Sequence, residues 1–129
     1  MTADRDFGLA FGDVPVGRVT QSGADFPRCF GAFVVDPNLA GRAPRVARFT
    51  ELCRDVSRIE DAWDGVSEYP QSPELDALAG FDAEMEAGDW WLVTADGGRE
   101  PIACPNFWHD GTVIWVWDVS RDAVPPPTP

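Results

Sequence analysis

An apolar stripe on one predicted helix constrains the fold more than any other feature of the sequence. The stripe recurs at steps of three and four residues after Pro44 and consists of Val46, Phe49, Leu52, Cys53, Val56, Ile59 and Trp63. Proline suits the first position of a helix, and Gly65 is expected to end this one. Since a helix with one apolar face must bury that face, the rest of the chain has to supply a covering layer.

Strand-like segments in the rest of the chain indicate that this layer is a sheet. They lie at 7–11, 14–21, 28–35, 90–94, 102–108 and 112–117. We expect the first at a sheet edge and a turn at residues 22–25, and Asp110-Gly111 is the strongest hairpin signal in the chain. A second helix is predicted from Ser72, as N-cap, and Pro73, with a weak point at Gly80.

Together these elements predict an α+β fold with the order β-β-α-α-β-β-β. We expect an antiparallel sheet of about five strands with two helices on one face. The 129 residues suit a single domain, which we place at residues 1–122. Residues 123–129 hold four prolines and predict a flexible, Pro-rich tail.

The few thiols and the single imidazole give no catalytic or metal signature. Cys29, Cys53 and Cys104 are too widely spaced for a typical zinc site, and their odd number argues for reduced thiols in a cytoplasmic protein. His109 lies at a predicted hairpin turn, where we expect an ordinary exposed residue. We therefore predict no catalytic residue, no metal and no cofactor, and more generally a protein that is not an enzyme.

The negative charge is concentrated in one part of the chain. Of the net −12, residues 59–98 contribute eleven acids and no basic residue, whereas residues 1–58 hold seven acids and eight arginines. We call residues 59–98 the acidic block. Its charge disfavours nucleic acid as a partner, and no apolar run approaches the ~20 residues of a membrane span. The block is either solvated surface or a docking surface for a basic protein.

These observations predict an acidic protein-interaction module. Immunity and inhibitor proteins bind a basic toxin or nuclease with an acidic surface, and we expect this chain to act in that way. Tryptophan is frequent in the parts of an interface that contribute most to affinity. The predicted partner-binding residues are Glu68, Glu74, Asp76, Asp82, Glu84, Glu86, Asp89, Trp90 and Trp108.

Two alternatives stay open. The first is a small-molecule-binding protein or enzyme with an aromatic pocket between sheet and helices. Its candidate residues are Phe33, Trp63, Trp115 and Trp117, with His109 or Asp118 as polar groups. The second is a homodimer, because residues 112–117 are apolar on both strand faces and the helices can cover only one of them.

Overall fold

The computed structural model describes residues 5–127 and confirms an α+β fold with an antiparallel sheet. The strands are β1 (Arg5–Phe11), β2 (Val14–Asp25), β3 (Arg28–Val35), β4 (Trp90–Val93), β5 (Arg99–Ile102), β6 (Asn106–Phe107) and β7 (Thr112–Val116). The helices are α1 (Leu39–Arg42), α2 (Pro44–Ala62), α3 (Pro73–Leu78) and α4 (Asp82–Glu86), with a 3-10 turn at Ala79–Phe81. No helix within residues 5–127 has both the length and the apolar character needed to cross a membrane.

Within residues 5–127 the sheet has seven strands, rather than about five, and it curls. Its order is β5-β4-β1-β2-β3-β7-β6. The β5 side meets the chain just after β7, where Ile102 faces Trp117 in an antiparallel bridge. The Ala103 amide donates to the Val116 carbonyl oxygen at 3.0 Å, and the Asp118 amide donates to that of Pro101, also at 3.0 Å. The two sides of the curled sheet are therefore joined by backbone hydrogen bonds.

The inner face of the curled sheet and α2 share one core. It contains Phe7, Leu9, Val16, Val19, Phe33, Trp90, Leu92, Ile102, Phe107, Val113 and Trp115 from strands, and Val46, Phe49, Leu52 and Cys53 from α2. The Phe49 ring lies 5.9 Å from that of Trp90 and 6.4 Å from that of Phe107. Aromatic pairs at such distances add to the stability that apolar burial provides. Five of the seven predicted stripe residues are buried: Val46, Phe49, Leu52, Cys53 and Val56. Ile59 and Trp63 are half-buried, and Trp63 lies just beyond the end of α2.

The first two strands differ from the prediction. β1 is not an edge strand, because it pairs with β2 on one side and β4 on the other. The predicted turn at 22–25 is also wrong: β2 continues to Asp25 through a bulge at Ser22, and the chain turns at Phe26 and Pro27. The ring of Phe30 in β3 lies over Gly23, so this glycine serves a close cross-strand contact instead of a turn.

The predicted strand at 102–108 is two strands. β5 ends at Ile102, and β6 pairs only Asn106 and Phe107 with β7. Pro105, which has no N–H to donate, lies between them. As a result β5 follows β4 at one end of the sheet order, and β6 follows β7 at the other. The last three predicted strand segments therefore form two separate pairs at opposite ends of the sheet order.

The second helical segment agrees more closely with its sequence. The Leu75 amide donates to Ser72 Oγ at 3.1 Å, which confirms the N-cap, and the helix breaks around Gly80 into α3, the 3-10 turn and α4. Near the C-terminus, Val124 exchanges two backbone hydrogen bonds with Arg99, of 2.8 and 2.7 Å. The chain is thus paired with β5 inside the predicted tail, of which Thr128 and Pro129 lie outside the described residues.

Candidate functional site

The acidic block returns along α2 after that helix ends. At the C-terminal end of α2, Tyr69 Oη donates to Glu60 Oε1 at 2.7 Å. At its N-terminal end, Arg45 Nη2 donates to the Gly80 carbonyl oxygen at 3.0 Å. Between these two contacts, α3 packs against α2. The part of the block from Tyr69 to Gly80 therefore lies along one flank of α2.

Six of the predicted partner-binding carboxylates form no ion pair with any residue in the range 5–127. They are Glu68, Glu74, Asp76, Asp82, Glu86 and Asp89. Glu74 and Asp89 are half-buried, and the other four are exposed. Asp89 lies apart from the rest, beside the β1–β2 turn, where its carbonyl oxygen accepts the Gly12 amide at 2.8 Å. Of the remaining five, Glu74 and Asp76 lie in α3, Asp82 and Glu86 lie in α4, and Glu68 lies in the loop before α3.

Two predicted partner-binding residues cannot serve in that role. Trp90 is 0% exposed, and its Nε1 donates to the Glu84 carbonyl oxygen at 2.8 Å. Glu84 itself is 9% exposed, because its carboxylate receives Arg45 Nε at 2.6 Å and Nη2 at 3.0 Å. Arg45 lowers the pKa of Glu84. Trp90 is a core residue, and Glu84 connects α4 to α2.

A surface cleft of about 510 Å³ lies at the C-terminal end of α2. It is lined by Glu60, Asp61, Trp63, Tyr69 and Trp108. Two carboxylates and three aromatic rings therefore face one concave surface. Cations are attracted both by carboxylates and by the faces of aromatic rings, so this set of side chains is suited to a positively charged group.

The loop after α2 holds the aromatic side of the cleft in place. Asp64 accepts the Val66 and Ser67 amides at 2.9 and 2.8 Å and the Ser67 hydroxyl at 2.6 Å. The Ser67 hydroxyl and amide, followed by the Val66 amide, lower the pKa of Asp64 to about 2. Trp63 Nε1 donates to the Ser67 carbonyl oxygen at 3.0 Å, and its ring meets that of Tyr69 at 5.1 Å. The loop is thereby ordered around one carboxylate.

The β6–β7 hairpin supplies the opposite side of the cleft. The His109 amide donates to Ser57 Oγ at 2.8 Å, and His109 Nε2 lies 3.1 Å from Asp61 Oδ2. These contacts attach the hairpin to α2 and bring Trp108 to the cleft. We expected an exposed turn residue in His109, but its side chain is only 27% exposed and packs against the helix. Its role is to position the hairpin.

The cleft includes one predicted partner-binding residue, Trp108, and four others that the prediction did not include. Trp63 was identified only as the last residue of the apolar stripe and as a candidate pocket wall. Glu60 and Asp61 precede it by three and two residues, and Tyr69 is the single tyrosine of the chain. In the sequence, the only indication of this cleft was the presence of acidic residues near Trp63, the last residue of the apolar stripe. Nothing in the sequence near Trp108 indicated that the β6–β7 hairpin would bring this residue to the cleft.

Two of the aromatic residues predicted to line a pocket between sheet and helices lie in the core. Phe33 and Trp115 belong to the core, and the Phe33 ring packs on that of Phe107 at 4.9 Å. Cys53 and Cys104 also face apolar surroundings, and burial raises the pKa of each thiol to about 12. Such thiols are poor nucleophiles because the thiolate is the reactive form.

Among residues 5–127, no group of three or more His, Cys, Asp or Glu side chains is arranged to hold a metal ion. Comparisons with protein-family models, with curated proteins and with solved structures find no match for the chain. The functional argument therefore depends on the geometry and charge of the described surface.

Proposed function

We propose that this chain is an interaction protein that binds a basic protein partner through the acidic block, in the manner of an immunity or inhibitor protein. The observation that carries the proposal is the set of block carboxylates without an ion pair in the part of the chain that the structure describes. Arg45 with Glu84 is the one ion pair between the block and an arginine of α2 in that same part. The negative electrostatic field of the remaining carboxylates can therefore attract a basic partner.

Aromatic and apolar side chains beside these acids support the same proposal. Trp63 and Trp108 are partly exposed in the cleft, and Tyr69 is 42% exposed. Val66, in the loop between Trp63 and Tyr69, is 92% exposed. Interfaces generally combine charge complementarity with a few aromatic anchors, and here both features occur on one side of α2.

The two alternatives have less support. Of the predicted pocket residues, Phe33 and Trp115 are buried in the core, whereas Trp63 lines the surface cleft and Trp117 is 36% exposed. A homodimer through the outer sheet face would use β3 and β7, where Val34 is exposed and Ile114 is half-buried. On that face Arg18 is paired with Val34 and Arg28 with Val116. Arginines at these register positions interrupt the apolar surface that a stable symmetric interface requires.

The test is to isolate the partner and to measure how its affinity depends on the block. Proteins that bind the chain from a native lysate at low salt, and elute with added salt, are identified by mass spectrometry. The purified basic partner is then titrated calorimetrically against two variants of equal net charge. One is Glu74→Gln/Asp76→Asn/Glu86→Gln, and the other is Asp13→Asn/Asp25→Asn/Asp122→Asn, which leaves the block intact.

We expect the block variant to lose about tenfold or more in affinity and the control variant to lose about twofold or less, since close charges interact more strongly than distant ones. Equal losses in the two variants would show that only total charge matters. That result, or the absence of any basic protein that elutes with salt, would overturn the proposal.

A further inference from the structure

We propose that the cleft at the end of α2 binds the guanidinium group of an arginine side chain presented by the basic partner. This inference rests on the proposed function and specifies one contact within it. The cleft combines the carboxylates of Glu60 and Asp61 with the rings of Trp63, Tyr69 and Trp108. A guanidinium can stack on an aromatic face while its N–H groups donate hydrogen bonds in its own plane, one to the free oxygen of each carboxylate. An ammonium group has no planar face to stack in this way.

Each of the two carboxylates has one oxygen held and one oxygen free of hydrogen bonds from residues 5–127. Tyr69 Oη binds Glu60 Oε1 at 2.7 Å, and His109 Nε2 lies 3.1 Å from Asp61 Oδ2. Glu60 Oε2 and Asp61 Oδ1 remain as acceptors. The held oxygens orient the carboxylates before a ligand arrives, which lowers the entropy cost of binding.

The chain places its own arginines in the same kind of environment. The Arg45 guanidinium lies 4.5 Å from the centre of the Phe81 ring and binds the Glu84 carboxylate. Arg121 lies 4.7 Å from the Trp91 ring centre and binds Asp118. In each case an aromatic face and a carboxylate share one guanidinium.

The cleft offers the same combination of aromatic rings and carboxylates, but no guanidinium from residues 5–127 stacks there. No arginine within residues 5–127 stacks on Trp63, Tyr69 or Trp108. The cleft is open to solvent. Its volume of about 510 Å³ falls within the range of roughly 300–1,000 Å³ found for ligand sites. An arginine on a protein surface can therefore enter it from outside.

The test is a titration of the full chain with N-acetyl-arginine amide, followed by NMR of the indole N–H signals at constant ionic strength. We expect saturable shifts of the Trp63 and Trp108 signals, with a dissociation constant in the range of about 1–50 mM for this single-residue probe. The Trp90 indole, which is buried in the core, should not move and reports that the fold is intact. N-acetyl-lysine amide should bind about fivefold more weakly or worse.

Two variants of equal charge separate the cleft from general acidity. Glu60→Gln/Asp61→Asn should lower the affinity for N-acetyl-arginine amide about fivefold or more. Glu74→Gln/Asp76→Asn should change that affinity by about twofold or less. If the double cleft variant loses its Trp90 signal, Asp61→Asn alone replaces it, with an expected loss of about threefold.

The cleft proposal is overturned if no saturable shift occurs, if both variants weaken the probe equally, or if lysine amide binds as tightly as arginine amide. The proposed function is tested separately by the partner titration described above. A partner whose affinity depends on Glu74, Asp76 and Glu86, while arginine amide fails to bind, would leave the proposed function standing and remove only the cleft. The reverse outcome would remove the proposed function.

Discussion

Asp118 Oδ2 accepts a 2.7 Å hydrogen bond from Arg121 Nε, and this pair connects the two sides of the curled sheet. The same guanidinium donates through Nη2 to the carbonyl oxygens of Ile102 at 2.6 Å and Trp90 at 3.0 Å. These carbonyl groups belong to β5 and β4, whereas Asp118 follows β7. The Arg121 side chain thus donates hydrogen bonds to residues of β4 and β5 and to Asp118, which follows β7.

This arrangement predicts a dependence of stability on pH. Arg121, followed by Ser120, lowers the pKa of Asp118 from its ordinary value of 3.8 to about 2. Because the fold favours the charged form, the contribution of Asp118 is complete above the ordinary value and is lost as pH falls towards about 2. Asp118→Asn should be less stable than the unmodified chain at neutral pH, and the two proteins should converge in acid. Urea unfolding monitored by tryptophan fluorescence between about pH 6 and pH 2 measures this. Parallel curves would contradict the prediction.

The ion pair between Arg45 and Glu84 predicts a structural rather than a binding role for Glu84. Glu84→Gln should destabilise the fold by about 1 kcal/mol, because Arg45 loses a charged acceptor but stays accessible to water. Glu86→Gln, two residues away and exposed, should change stability by about 0.5 kcal/mol or less. A double-mutant cycle with Arg45→Met isolates the coupling between the pair. A coupling energy near zero would show that the contact does not stabilise the fold.

Any side chain in place of Gly31 in β3 is predicted to destabilise the fold. A Cβ atom at this position would lie 2.2 Å from the Thr20 carbonyl oxygen in β2, so the two strands would have to separate. We expect Gly31→Ala to cost about 1–3 kcal/mol in the free energy of unfolding. Gly41→Ala is the matched control, since no atom within 4 Å opposes a Cβ there and alanine favours the helix. Chemical denaturation of both variants tests this, and similar stabilities would contradict the packing described for Gly31.

The two thiols with a raised pKa, the buried Cys53 and the partly buried Cys104, predict slow chemical modification. With the pKa of Cys53 and Cys104 raised to about 12, the thiolate fraction of each near pH 8 falls by roughly two to three orders of magnitude relative to an ordinary cysteine. Ellman's reagent should therefore react slowly at these positions in the folded chain and rapidly in denaturant. Cys53→Ala and Cys104→Ala identify the two signals. Rapid reaction of either thiol without denaturant would contradict the burial.

Short-range features of the fold could be predicted from sequence because the interactions behind them are local. The stripe that ends with Trp63 follows from helical periodicity, and the Ser72 cap follows from the unpaired amides at a helix start. Gly111, whose φ is +89°, lies in the hairpin turn expected for an Asp-Gly pair. In each case the decisive groups are a few residues apart.

Strand neighbours could not be predicted in this way. β1 was expected at an edge, yet β4, which pairs with it, begins 79 residues after Phe11 at Trp90. Trp90 and Trp91 have the same chemistry and adjacent positions, but only Trp90 faces the core. Glu84 and Glu86 differ because Arg45, 39 residues before Glu84, meets one of them and not the other.

The same division holds for the candidate site. The position of the negative charge in residues 59–98 is a property of the sequence, as is the lack of any basic residue there. Only the tertiary structure showed that Glu84 and Trp90 are buried and that Trp108 lines one cleft with Asp61 and Tyr69 at the end of α2. The physical reason is that periodicity and capping depend on near neighbours, whereas burial and pairing depend on which distant segments the folded chain brings into contact.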